Sequence, residues 1–312
     1  RVAAGVALER PCKILASSHL KAITMPQLDA QFQYVEGQAR PTFAALLAGY
    51  EALGAAAVRS QPCTLDVPYG AGERQVFDFF PARGEPQGTL MYFHAGYWQS
   101  RDRSTFRFIA PAFTQHGLNV ALVNYPLFPM VSLAGLTEVV RASVPKVLAH
   151  AAGLGQPECP LIASGHSAGG HLAVELALSR WPELGVRARA VDGVIALSGI
   201  YDLAPLVTTS LNAKLGLDAA AARANSPLHR VATGLPPALF VVGGDETPAF
   251  LEQCRHMHEA WQGAGNRSAI EIVPEADHFS LLQSFSSPGS TLFGKVSQLL
   301  LAQQRFSRQA IG

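Results

Sequence analysis

Charge is scarce in this chain. Only 15% of its 312 residues are Asp, Glu, Lys or Arg, against 48% hydrophobic, and 24 basic residues face 23 acidic ones. A binder of nucleic acid or of an anionic membrane needs a basic surplus, and none is present, so both partner classes are set aside. Cysteine is sparse too. Cys12, Cys63, Cys159 and Cys254 lie far apart with no C-x-x-C pair. That scatter supplies neither a disulfide framework nor a zinc site, and it favours reduced thiols in a cytoplasmic protein. Long apolar runs are missing as well. Residues 108–137 contain no Asp, Glu, Lys or Arg, yet Pro111, Pro126 and Pro129 interrupt them and Asn119 and Asn124 sit in their most apolar part. They read as a buried strand with flanking loops, not as a membrane span. Neither an internal repeat nor a low-complexity block divides the chain. What is left is long enough to bury one large core.

The amino-terminal residues stand apart. The first 24 do not begin with Met, and Glu9-Arg10-Pro11 breaks the apolar stretch that a signal peptide would need. Met25 opens a segment with the look of a natural start, so residues 1–24 are expected to be an extension without catalytic role and residues 25–312 the single domain.

Within that domain, Phe43–Val58 is rich in Ala and Leu at helical spacing. Thr64–Pro68 and Arg74–Phe80 are short alternating runs separated by Gly70-Ala71-Gly72, the pattern of an antiparallel hairpin. Continuous apolar runs then follow at Thr89–Phe93, Val120–Val123, Leu161–Ala163, Val191–Leu197, Ala238–Val242 and Ile270–Val273. Amphipathic stretches lie between them, clearest at Leu136–Ala152, Ala168–Arg180 and Phe250–Gly263. Apolar strands joined by helices predict an α/β fold, a mostly parallel central sheet with helices on both faces. Ligands of such sheets bind beyond the carboxyl ends of the strands, so chemistry is expected just after each apolar run.

Gly165-His166-Ser167-Ala168-Gly169 follows one of those strands and opens one of those helices. A Gly-x-Ser-x-Gly turn in that setting is a nucleophile elbow: the serine takes a strained backbone that exposes its Oγ, and the glycines let strand and helix approach. A serine hydroxyl needs a base held by a third group, and behind such an elbow the acid comes next in the chain and the histidine last. Asp245 closes the run 238–245, and His278 lies just past the final strand. Asp245 is therefore the expected acid and His278 the expected base. Glu246 is adjacent to Asp245 and should point elsewhere, Asp277 is too close in sequence to reach round to the ring, and Asp202 is the substitute acid. His166 and His171 read as packing residues around the elbow. His256 and His258, two apart on a helix, diverge.

His94-Ala95-Gly96-Tyr97-Trp98 follows the first parallel-type strand. A loop of this kind supplies backbone N–H groups to an oxyanion together with the residue after the nucleophile, which nominates Ala95, Gly96 and Ala168. Tyr97 and Trp98 are expected to wall the substrate pocket.

Taken together, His94-Ala-Gly-Tyr-Trp-Gln, Gly165-His-Ser-Ala-Gly-Gly-His-Leu, Ser198-Gly-Ile-Tyr-Asp-Leu, Gly243-Gly-Asp-Glu-Thr, Asp277-His-Phe and the earlier Leu28-Asp-Ala-Gln-Phe resemble the kynurenine formamidase (arylformamidase) branch of the α/β hydrolases, near the hormone-sensitive-lipase-like esterases. The resemblance runs from Leu28 almost to the carboxyl terminus. It implies Ser167 as nucleophile, Asp245 as orienting acid, His278 as base, and Ala95, Gly96 and Ala168 as the oxyanion hole. Two departures bear on pocket shape: Ala95 stands where the family usually has Gly, and Asn124-Tyr125-Pro126-Leu127 where many relatives have Asp-Tyr-Arg-Leu.

The expected activity is acyl transfer to water through an acyl-serine, on a small N-acyl arylamide or ester such as N-formylkynurenine. A general short-acyl carboxylesterase or carbamate hydrolase is the alternative within the same chemistry, and a non-catalytic binding protein on a hydrolase fold is the alternative outside it. The reaction calls for no metal or organic cofactor and for no partner beyond a small-molecule substrate. The residues are compatible with a homo-oligomer, and a small cap is expected from 25–60 and 204–236.

Overall fold

A computed structural model describes residues 29–299 except Ala188. The expected extension, 1–24, lies outside the described residues.

An eight-stranded sheet organises the chain. Its strands are β1 (Thr64–Pro68), β2 (Val76–Phe80), β3 (Gly88–Phe93), β4 (Leu118–Val123), β5 (Leu161–His166), β6 (Gly193–Leu197), β7 (Ala238–Gly243) and β8 (Ser268–Val273), in the order β1-β2-β4-β3-β5-β6-β7-β8. β2 pairs antiparallel with β1 and with β4, and every other pairing is parallel. The hairpin read from the sequence is thus the antiparallel margin of a parallel sheet.

Period-two alternation divides the core into two layers. Met91 and Phe93 of β3 face one side with Ala121 and Val123 of β4, while Leu90 and Tyr92 face the other with Val120 and Leu122. The first layer is covered by α3 (Leu133–Gly153), α4 (Ala168–Leu178) and α7 (Pro248–Gly263). The second is covered by α1 (Phe43–Ser60), α2 (Ala110–Thr114) and α8 (Leu281–Phe285), with the helical residues 291–299. Strands buried on both faces are why the sequence shows them as continuous apolar runs. Two short helices, α5 (Asn212–Leu215) and α6 (Ala219–Ala224), belong to the excursion between β6 and β7. Among the described residues no helix is long and apolar enough to cross a membrane.

The strand order places β4 and β5 on opposite sides of β3. Chains leaving the carboxyl ends of β3 and β5 diverge there, and the crevice between them is where open α/β sheets bind ligands.

Candidate active site

β5 runs directly into α4 through Ser167, whose backbone has φ 57° and ψ −118°. A side chain rarely adopts positive φ, and holding one there costs about 1–3 kcal/mol, so the surroundings must over-determine it. They do so by proximity. A Cβ at Gly165 would stand 2.1 Å from the Gly169 carbonyl oxygen, and one at Gly169 would stand 1.9 Å from the carbonyl oxygen of Phe93. Only glycine permits that contact of β3, β5 and α4. Ser167 N–H is also tied to the Leu197 carbonyl of β6 at 2.8 Å.

His278 lies past β8 and its Nδ1 donates to a carboxylate at 2.7 Å. That carboxylate is Glu246 Oε2. The acid expected from the sequence, Asp245, is exposed, whereas the Glu246 side chain is wholly buried. The reason is the phase of the turn after β7. Asp245 N–H bonds back to the Ala276 carbonyl at 3.0 Å, which aims its side chain outward and leaves the next position to point in. Glu246 Oε1 then accepts from Gly243 N–H at 2.8 Å and from the Ser198 hydroxyl. Three donors thus hold this carboxylate without water. The neighbouring carboxylates are spent elsewhere: Asp277 Oδ1 accepts from Phe279 N–H and Ser280 N–H, and Asp202 Oδ1 from Ala204 N–H. His166 sits under the site with its ring 4.6 Å from that of His278, and burial lowers its pKa well below the usual histidine range.

Ser167 and His278 both line a cavity of about 240 Å³ with Ala95, Gly96, Tyr97 and Phe279. A larger cavity, about 400 Å³, lies at the amino ends of β7 and β8, lined by residues such as Pro237, Arg267 and Lys295. Ser268 in its lining bonds to His258 at 2.9 Å but stands at the start of β8 with no elbow, so the smaller cavity is the candidate site.

The loop after β3 is braced from below. His94 Nδ1 bonds to the Ala95 carbonyl at 2.7 Å, its Nε2 faces Asn124 Oδ1 at 3.1 Å, and its ring stacks on Tyr125 at 4.2 Å. Burial pushes the His94 pKa down to about 4, so the ring is neutral at ordinary pH. Above it Gly96 has φ 126°, where a Cβ would stand 2.3 Å from the Ser100 carbonyl oxygen, while Ala95 has no positive φ. Ala168 does not line the cavity with Ala95 and Gly96. Its N–H is the first of α4, one of those that a helix leaves without an internal acceptor.

The two aromatic residues part company. Tyr97 lines the cavity and its hydroxyl donates to the Tyr34 carbonyl. Trp98, expected as a second wall, is instead fully buried in the core, packed edge-on against His171 at 5.1 Å. Both residues have positive φ, 50° and 58°.

Residues within 25–60, expected to contribute to a cap, complete the wall. Residues 32–36 form one wide helical turn whose Tyr34 and Val35 line the cavity together with Gln38, Ala39 and Phe43. It is stapled to the acid loop: Gln38 Nε2 donates to Thr247 Oγ1 at 2.8 Å, Thr247 Oγ1 donates to the Gln33 carbonyl at 2.7 Å, and Arg40 donates to the Asp245 carbonyl at 2.9 Å. Leu211, from the excursion after β6, closes the far side. Among the described residues no three His, Cys, Asp or Glu side chains converge as a metal site would require.

Residues 90–282 match the model of a family with the α/β-hydrolase fold. Kynurenine formamidase of Danio rerio is 30% identical over 276 residues, covering 83% of this chain and 92% of that protein. Kynurenine formamidase of Salmo salar is 30% identical over 230 residues, 70% of this chain and 76% of that one. A solved structure from a Silicibacter species, described provisionally as a thioesterase, is 32% identical with a TM-score of 0.69, covering 85% of this chain and 97% of its own. Matched by the family model across its strand–elbow–histidine core and by curated relatives over most of its length, the chain belongs to the α/β-hydrolase family, as a hydrolase of the arylformamidase-like branch.

Proposed function

We propose that this hydrolase works through an acyl-serine, with Ser167 as nucleophile, His278 as base and Glu246 as the acid that orients it. One observation carries the reading: a buried carboxylate holds His278 through Nδ1 at 2.7 Å, and the ring shares a small cavity with a serine on a strained elbow. With its Nδ1 proton pinned, the ring presents Nε2 to the cavity as the free base. Nε2 takes the Ser167 proton as Oγ adds to the acyl carbon, and the oxyanion meets backbone N–H groups of Ala95, Gly96 and Ala168. Each such donor contributes about 10²–10³ in turnover. The same imidazolium then protonates the departing amine or alcohol, and water enters along the reverse path.

A cavity of about 240 Å³ admits a short acyl group and one aromatic ring. An aryl leaving group would rest among Tyr97, Phe43 and Phe279. The substrate is accordingly a small N-acyl arylamide or aryl ester, with the formyl arylamide first because the curated relatives are kynurenine formamidases. The reading includes a cytoplasmic setting and requires no partner beyond the substrate.

A fluorophosphonate probe that labels wild-type enzyme at Ser167 and leaves Ser167→Ala unlabelled supports the nucleophile. Folded wild-type protein that resists the probe would favour a binding protein. The ratio of kcat/KM for N-formylkynurenine to that for p-nitrophenyl acetate then separates the two substrates. A large preference for the ester would replace the formamidase reading with a short-acyl esterase.

A further inference from the structure

Several arginines of this protein pair with acids. Arg74 faces Asp102, Arg103 and Arg107 share Asp78, Arg187 faces Asp192 and Arg230 faces Glu175. Arg101 is not among them. It lines the cavity that contains Ser167 and His278, its guanidinium stands 4.9 Å over the ring of Phe279, and among the described residues no carboxylate lies within ion-pair distance of it. The nearest acids make bonds of their own, and the Glu51 charge reaches Arg101 only at a distance. Asp102 Oδ2 accepts from Asn124 Nδ2 at 2.7 Å and from Arg74 at 3.2 Å, while Glu51 Oε1 accepts from Thr105 Oγ1 at 3.1 Å. The backbone at Arg101 has φ 72°, an uncommon conformation for a long side chain, and its carbonyl is fixed by Arg74 at 2.8 Å. Arg101 is exposed to solvent as well as lining the cavity, and the burial it does have lowers its pKa against the opposing charge of Glu51.

Among the described residues no acceptor takes any of its five donors, so a cation in a planar fork at the cavity wall is free to receive an anion from the substrate. Phe279, beneath it, immediately follows the catalytic histidine, so a ring resting on Phe279 would carry a substituent toward the fork. We infer that Arg101 is a specificity-determining residue that recognises a carboxylate on the aryl leaving-group side of the substrate. The inference rests on the acyl-serine reading above and narrows its substrate class to anionic N-acyl arylamides and aryl esters.

The test compares 3-acetoxybenzoate with its neutral isostere 3-acetoxybenzamide. The readout is the ratio of their kcat/KM values, so the intrinsic reactivity of each ester cancels between enzymes. For wild type the carboxylate should be preferred about tenfold, mainly through KM, and the preference should shrink as salt is raised. In Arg101→Gln the ratio should collapse toward that of the uncatalysed esters, and Arg101→Lys should retain part of it. Fluorophosphonate labelling of both variants reports that the elbow and histidine are intact. A wild-type ratio near unity, or a ratio unchanged in a fully labelled Arg101→Gln, overturns the inference while leaving the acyl-serine reading in place. Failure of wild type to hydrolyse or to be labelled removes that reading, and this inference with it.

Discussion

The sharpest test of the site is Glu246→Gln set against Asp245→Asn. Each replaces one carboxylate by its isosteric amide, and only one of the two residues touches His278. Glu246 accepts three hydrogen bonds through its two oxygens, from His278 Nδ1, Gly243 N–H and Ser198 Oγ. Glutamine has one carbonyl oxygen to offer. If that oxygen stays with Gly243 and Ser198, the amide NH₂ faces Nδ1, the ring must accept there, and its proton moves to Nε2. An imidazole protonated at Nε2 cannot take the serine proton. If the amide flips, its NH₂ points at the Gly243 N–H, leaving a buried donor unmet at a cost of about 1–3 kcal/mol. The inactive tautomer is therefore the favoured one. Wrong-tautomer triads lose about 10⁴ in kcat, about 5.5 kcal/mol of barrier at 1.36 kcal/mol per factor of ten. Asp245→Asn alters an exposed side chain whose backbone bonds to Ala276 and Arg40 survive, so its kcat should stay within about twofold. Steady-state kinetics on an aryl ester, with a thermal melt to show both variants folded, reads the result. A Glu246→Gln enzyme within tenfold of wild type, or an Asp245→Asn enzyme reduced a hundredfold, would refute the assignment of the acid.

The strained elbow and the neutral His94 carry further expectations. Ser167→Gly removes the side chain from a backbone at φ 57°, so it should abolish turnover yet raise stability by about 1 kcal/mol, the strain relieved less the added freedom of the unfolded glycine; denaturant titration checks it, and a less stable variant contradicts the strain. His94, with its pKa lowered to about 4, binds a proton more readily in the unfolded chain, whose ordinary value is 6.5. Between those two values the unfolded state carries more protons, so stability rises with pH through the window, is complete above about 6.5 and is lost as pH falls toward 4. From pH 7.5 to pH 5 the loss from His94 alone is about 2 kcal/mol. Urea midpoints at the two pH values measure it, and a flat profile would show that the ring is not held neutral.

Much of this architecture is visible in the sequence because strands buried on two faces and amphipathic helices leave unmistakable rhythms. The elbow is visible for a steric reason, since only glycine at 165 and 169 allows the backbone contacts around Ser167. The acid was not. Adjacent carboxylates at 245 and 246 do diverge, as expected, but which of them turns inward depends on one backbone bond, Asp245 N–H to Ala276, made with a loop some thirty residues away. No local pattern encodes that phase. Trp98 failed for a similar reason: the tyrosine lines the cavity and the tryptophan packs in the core against His171, a division that no local pattern encodes. A cap contribution from 25–60 is legible, but which of its side chains reach the site is not, because that is set by long-range side-chain bonds, such as Gln38 to Thr247, between segments unrelated in sequence.

That last arrangement has a consequence for how the protein can be handled. The segment around Tyr34 grips the acid loop through Gln33, Gln38 and Thr247, and the oxyanion loop through the Tyr97 hydroxyl, before any strand of the sheet has begun. It works as an external splint on two loops that reach the site from strands far apart in the order. A proteolytic nick or an inserted tag between this segment and α1 would leave the sheet, the elbow and all the reacting groups untouched, and would still be felt at the chemistry as two loops released to drift independently.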